Sequence, residues 1–264
     1  MSLSNPWIQI FKPQSNAALN LICFPFAGGG TQSFSKWPEY LPDEIEVRAI
    51  RLPGRETRLR EPAIADVQAL IDAMLQAPGV RSCFDKPFVL FGHSMGALIA
   101  FELARRLQAE GQDNLQGLLV SGRVAPQCKP PREPIHALAP EDFVRELRRL
   151  GGTPDEVLND PDLMALILPM LRGDFSVNEN YAYRPQPRLA CDIVAFGGLQ
   201  DSETTRASVD AWREVGDGGF SLRMVPGDHF FIQSAQALFL RLLAIELYGS
   251  LSRLPDTEQL AVPL

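Results

Sequence analysis

Residues 88–107 read FVLFGHSMGALIAFELARRL, a short apolar run that passes through Gly-His-Ser-Met-Gly into apolar positions recurring at three- and four-residue spacing. No polar linker separates the two patterns, so a buried strand must turn into an amphipathic helix between Gly92 and Gly96. A serine at such a turn is strained in its backbone and carries its hydroxyl above the end of the sheet. The two glycines fit a place where strand and helix backbones crowd each other and leave little room for side chains. A Gly-x-Ser-x-Gly match by itself is weak. Its position between strand and helix makes Ser94 the candidate nucleophile.

The same alternation runs through most of the chain. LNLICFPF (19–26), EVRAIRL (46–52), FVLFG (88–92), LQGLLVSG (115–122), CDIVAFGG (191–198) and FSLRMV (220–225) read as strands. DVQALIDAMLQA, GALIAFELARRLQAEG, SVDAWREV and FIQSAQALFLRLLAIELYG read as helices between and after them. That rhythm predicts an α/β fold, a mostly parallel sheet with helices on both faces. It breaks between about Arg123 and Leu189, where three helical stretches occur without a convincing strand. The first has Pro140, Glu141 and Asp142 in its opening turn and stops at Gly151-Gly152. We read an inserted helical cap over 123–189 within a single domain of residues 1–264, followed by a loosely held tail over 251–264.

Composition narrows the function classes. At 264 residues with 45% hydrophobic side chains the chain can fill a sizeable core. A net charge of -7 argues against non-specific nucleic-acid binding, which needs a basic surface. Neither a signal-peptide pattern at the N-terminus nor a membrane-length apolar run is present, so a cytoplasmic protein is expected. Cys23, Cys83, Cys128 and Cys191 are widely spaced with no C-x-x-C pair, and we expect buried free thiols, Cys23 and Cys191 within strands.

A serine nucleophile needs a base, and only His93, His136 and His229 are available. His93 adjoins the serine and should point away from it, while His136 belongs to the inserted region. His229, in MVPGDHFF after the last strand, alone fits the chain order serine, acid, histidine. The acid then falls in CDIVAFGGLQD, where Asp201 follows a strand and a Gly-Gly turn. Asp192 lies at the wrong end of that strand, Asp210 within a helix, and Asp228 too close to His229. For an oxyanion hole the backbone N–H groups of Met95 and Ala27 are placed after the serine and in the FPFAGGG loop, with Phe26 an alternative to Ala27.

Four blocks in order, LICFPFAGGG, RLPGRETRLREP, FGHSMGALIAFELARRL and the pair GGLQD…GDHFF, resemble the type II thioesterases that accompany polyketide synthases and nonribosomal peptide synthetases. These are members of the α/β-hydrolase superfamily. The resemblance implies an α/β-hydrolase fold with a mobile helical lid. It also implies hydrolysis of acyl thioesters on the phosphopantetheine arm of a carrier domain, clearing stalled or mis-primed groups. Ser94, Asp201 and His229 match the family's catalytic positions. The expected enzyme uses no cofactor or metal and acts as a monomer on acyl or peptidyl carrier domains. The rival readings are an esterase or acyltransferase for free small acyl substrates and a carrier-docking module with incidental catalysis. Two features stay open: whether Arg48, Arg51, Arg55, Arg58 and Arg60 meet an acidic carrier domain or the pantetheine phosphate, or form a solvated loop with local salt bridges, and whether LMALILPMLRGDF lines an acyl chamber or forms lid core.

Overall fold

The computed structural model describes residues 5–130 and 132–254. Its sheet contains β1 (Ile8–Gln9), β2 (Leu19–Phe24), β3 (Ile45–Ile50), β4 (Phe88–His93), β5 (Leu115–Ser121), β6 (Asp192–Gly198) and β7 (Phe220–Val225). They lie in the order β1-β3-β2-β4-β5-β6-β7, with every pair parallel except β1 with β3. The chain thus builds outward from β2 to β3, crosses back over β2 through α1 (Val67–Gln76), and then builds the other way from β4. Neighbouring strands diverge at β2 and β4, and the loops leaving their C-terminal ends frame a crevice where open α/β sheets bind ligands. Phe24 pairs with Gly92, so the FPFAGGG loop and the serine turn leave the sheet side by side.

Alternate residues of each strand feed two apolar cores, as a period of two requires. Ile22, Phe24, Leu90, Leu118 and Val120 pack with α1 and α2 (Met95–Ala109) on one face. Leu21, Cys23, Phe91, Leu119 and Phe196 pack on the other with Phe34, Trp37 and the helix α8 described below. This is the α/β-hydrolase arrangement.

The turn between β4 and α2 holds the tightest backbone approach in the fold. A Cβ on Gly92 would lie 2.0 Å from the Gly96 carbonyl oxygen, and one on Gly96 would lie 2.1 Å from the Phe24 carbonyl oxygen. Ser94 between them sits at φ 54°, ψ −113°, a left-handed backbone that non-glycine residues avoid.

After β5 the chain forms α3 (Pro140–Leu150), α4 (Asp155–Leu158) and α5 (Pro161–Glu179) with no strand among the described residues before β6. Ile135, Phe143, Leu147, Leu158, Met164 and Met170 give this insert a small core of its own, continuous with Leu171 and Phe175. Gly151 ends α3 in the left-handed conformation, and Asp160 caps α5 by accepting from the N–H groups of Asp162 and Leu163. The chain then passes through α6 (Arg206–Asp210) and β7 to α7 (Phe231–Ser234) and α8 (Gln236–Leu251).

Several expectations need correction. The two-residue edge strand β1 was not foreseen, because two residues carry no periodic signal. The last helix is broken at Ala235, whose backbone is not helical. SVDAWREV is divided between α6 and a 3-10 turn over Ala211–Val215. Cys191 precedes β6 instead of lying in it, and only Cys23 and Cys83 are buried, Cys128 and Cys191 being partly exposed. The tail placed at 251–264 begins with the last residue of α8 and a short turn; residues 255–264 lie outside the described residues.

Because the Gly96 site is closed by backbone and not by a flexible side chain, Gly96→Ala should lose upward of about 3 kcal/mol. Gly249, exposed in α8 with open space around its Cα, is the control: Gly249→Ala should gain up to about 1 kcal/mol. Urea unfolding of both variants checks the pair.

Candidate active site

Three loops at the C-terminal edge of the sheet bring the predicted residues together. Ser94 follows β4, its N–H donating to the Ser121 carbonyl at 2.8 Å. Asp201 follows β6 and His229 follows β7. Their loops are stitched by Leu199 N–H to Val225 O at 2.8 Å, Gln200 N–H to Gly227 O at 2.9 Å, and Gly227 N–H to the Gln200 side chain at 2.6 Å. Gly198 is needed there, since a Cβ would meet the Asp228 carbonyl oxygen at 2.6 Å.

The result is a bond of 3.0 Å between His229 Nδ1 and Asp201 Oδ2. The Asp201 carboxylate also accepts from the Glu203 N–H at 2.8 Å and the Thr204 hydroxyl at 2.9 Å. Burial pushes this carboxyl up, but His229, the Glu203 N–H and the Thr204 hydroxyl together outweigh it and hold its pKa below the ordinary value. Asp201 is therefore an ionised acceptor fixed in three directions, and it orients the ring with Nε2 left for other work. Asp192 instead accepts from Gly219 N–H, and Asp228 from Phe230 N–H; neither is bonded to His229. Thr204 escaped the sequence reading; the Glu203 N–H bond, two residues after the aspartate, is the local turn pattern that aspartate favours.

His93 does turn from the serine: its Nδ1 is 2.9 Å from the Ser121 hydroxyl. It is fully buried, and burial and then the neighbouring His229 hold its pKa well below the usual histidine value. The neutral ring packs 5.2 Å from the His229 ring, centroid to centroid, and so acts as a wall behind the base. His136 lies in the insert on Glu179, at 2.7 Å.

Ser94, His229, Phe26 and Ala27 line one cavity of about 410 Å³, closed over by Leu147, Leu171 and other residues of the insert. The Ser94 hydroxyl makes no hydrogen bond among the described residues, and the N–H groups of Met95 and Ala27 donate to no protein acceptor there. Ser94, Ala27 and His229 thus line one cavity, with Asp201 bonded to the His229 ring.

The family model of the thioesterase domain matches residues 19–244. The chain belongs to the thioesterase family. It is 43% identical to the gramicidin S biosynthesis protein GrsT of Aneurinibacillus migulanus, over 89% of this chain and 91% of that protein. It is 35% identical to the medium-chain S-acyl fatty acid synthase thioesterase of Rattus norvegicus, over 82% of each. Among solved structures, the type II thioesterase BorB from the borrelidin biosynthetic cluster matches with a TM-score of 0.84 at 38% identity, covering 94% of this chain and 100% of that one.

Most of the arginine-rich block of this thioesterase points inward. Arg51, Arg55 and Arg58 are buried; Arg51 and Arg58 are paired locally, with Glu56 and Glu61, and Arg55 with the distant Asp174, while Arg60 is exposed. Arg48 pairs with Glu46. The Arg55–Asp174 bond, 2.6 Å with both side chains shielded, reaches from the block to α5. Asp174 also accepts from the Gly28 N–H at 2.8 Å, and Arg55 donates to the Gly29 carbonyl at 2.6 Å. A buried ion pair therefore clamps the loop that presents Ala27, and ties it to the insert. Sequence reading had no access to this pair, because its partners lie 119 residues apart.

The second open question divides along α5. Leu171 and Phe175 line the cavity, Met164 and Met170 fill the insert's core, and Leu163 and Leu166 are exposed, at 43% and 53%.

Removing one partner of the clamp strands a buried charge, so Arg55→Ala or Asp174→Ala should each cost about 3–5 kcal/mol. The double variant Arg55→Met/Asp174→Leu should recover most of that stability in urea unfolding. Its thioester hydrolysis should stay below wild type, because the Gly28 N–H has lost its acceptor and the Ala27 loop its anchor.

Proposed function

We propose that this thioesterase hydrolyses acyl groups from the phosphopantetheine arm of carrier domains, clearing stalled or mis-primed intermediates of polyketide or nonribosomal peptide assembly. The observation that supports the reading most is that Ser94, His229 bonded to Asp201, and the Ala27 loop line one cavity together with residues of the helical insert. The similarity to the named biosynthetic thioesterases supports the substrate class.

In this reading Ser94 Oγ attacks the thioester carbonyl carbon while His229 Nε2 takes its proton. The hydrogen bond between those two atoms forms as substrate fills the cavity, since catalytic bonds commonly tighten only in the complex. The oxyanion of the tetrahedral intermediate accepts from the N–H groups of Met95 and Ala27. The C–S bond then breaks, the departing sulfur receives the proton from His229, and the acyl group remains as an ester of Ser94. Water attacks that ester with His229 again as base, releasing the carboxylic acid and restoring the serine. Asp201 holds the ring's tautomer and stabilises the imidazolium. The helical insert acts as a lid that keeps water out until the acyl-enzyme forms. No cofactor enters any step, and the enzyme works as a cytoplasmic monomer.

The test is a panel of acyl-loaded carrier domains incubated with the protein and followed by intact mass. Wild type should return free carrier, and Ser94→Ala, folded by circular dichroism, should be slower by about three orders of magnitude or more. Undiminished turnover by the folded variant overturns the serine assignment. Hydrolysis of free small esters with every loaded carrier untouched overturns the carrier reading.

A further inference from the structure

The charged side chains on the cavity wall are unequally partnered. Arg132 is 3.2 Å from Glu179 and 2.8 Å from Glu203, and the Glu179 carboxylate also accepts from the backbone N–H groups of Ile135 and His136. Lys129 is exposed to solvent. Arg123, on the same wall as Ser94 and His229, has no carboxylate partner among the described residues. Its Nη1 donates to Asn178 Oδ1 at 2.6 Å, while its Nε is buried without an acceptor and its Nη2 has none either. Trp212 Nε1 donates to the Arg123 carbonyl at 2.9 Å and fixes the backbone. Burial lowers the guanidinium pKa to about 10, which still leaves it charged at neutral pH.

A partly buried cation with one donor sealed from solvent and no counter-charge is costly to the fold. It is tolerated where a ligand brings the missing charge. With Nη1 held by Asn178 and Nε sealed from solvent, Nη2 is the donor left accessible and unpartnered, placed to give a charge-assisted hydrogen bond to a carboxylate oxygen. Because the Ser94 N–H is bonded to the Ser121 carbonyl, Arg123 begins only two residues beyond the elbow.

We propose that Arg123 is an anion subsite of the acyl chamber, and that the thioesters it selects carry a carboxylate at the far end of the acyl group. This deepens the proposed thioesterase reading and rests on it. The other anion of such a substrate, the phosphate of the pantetheine arm, lies the full length of that arm from the thioester, whereas Arg123 lines the same cavity as Ser94. The acyl carboxylate is therefore the occupant favoured. Leu171 and Phe175, lining the same cavity, would flank the methylene chain between the two ends.

The experiment compares succinyl and butyryl thioesters, each on N-acetylcysteamine and on phosphopantetheine, with wild type, Arg123→Met and Arg123→Lys. The quantity read is the ratio of kcat/KM for succinyl over butyryl, which cancels any shared loss of folded protein. That ratio should fall about tenfold or more in Arg123→Met and less in Arg123→Lys, as expected for a lost charge-assisted pair. An equal ratio in wild type and Arg123→Met overturns the proposal. So does an equal loss of kcat/KM for both acyl groups on the phosphorylated arm alone, which would assign the cation to the phosphate. Melting temperatures with monomethyl succinate and with methyl butyrate need no turnover. The succinate ester alone should raise the wild-type value, and this rise should vanish in Arg123→Met; no rise in wild type overturns the subsite. Should wild type hydrolyse neither acyl group on either arm, the thioesterase reading fails, and the melting comparison decides the subsite by itself.

Discussion

The crowding of three backbones at the serine turn governs the rest of the site. With Gly96 against the Phe24 carbonyl and Gly92 against Gly96, β2, β4 and α2 can meet only without side chains, and the residue between the glycines is forced to positive φ. That strain lifts Ser94 out of the sheet. It also fixes the distance between the serine and the loop after β2, because both segments emerge from the same contact. A tight approach here removes the freedom that would let Ser94 and the Ala27 loop drift apart.

Everything else at the sheet edge is positioned relative to that fixed point. The loops after β6 and β7 are bonded to each other before either offers a functional side chain, so Asp201 and His229 move as a unit. The Ala27 loop is held from the opposite side by Arg55 and Asp174, the second of which belongs to α5. The insert is thus joined to the donor loop through an ion pair shielded from water. Displacement of α5 would therefore be felt at the loop that holds Ala27.

Much of this was legible in the sequence wherever the signal was local. The strand-to-helix turn is visible because a continuous apolar run gives way to period 3.6 across five residues. Asp201 and His229 could be named because each follows a strand at the edge where the serine stands, and the fold supplies the order. Contacts closed across long loops were silent. Arg55 looked like part of a solvated basic run, since nothing nearby in the chain announces Asp174. Helix α2 read as amphipathic, yet its polar Glu102 and Arg105 are buried beneath residues 181–186, where the Tyr181 hydroxyl donates to Glu102 and Arg105 donates to the Arg184 carbonyl. A helix pattern reports which face is polar. It does not report whether another segment will cover that face.

The central claim is that Ser94 carries the acyl group between two half-reactions, and the most direct measurement is peptide mapping of acid-quenched enzyme taken during turnover of an acyl-carrier. Slowing the second half-reaction with Asp201→Asn should raise the amount trapped. The account expects an acyl ester on the peptide containing Gly92 to Gly96, located at Ser94 by fragmentation. An ester at another residue, or continuing turnover with no covalent adduct at any quench time, would contradict it.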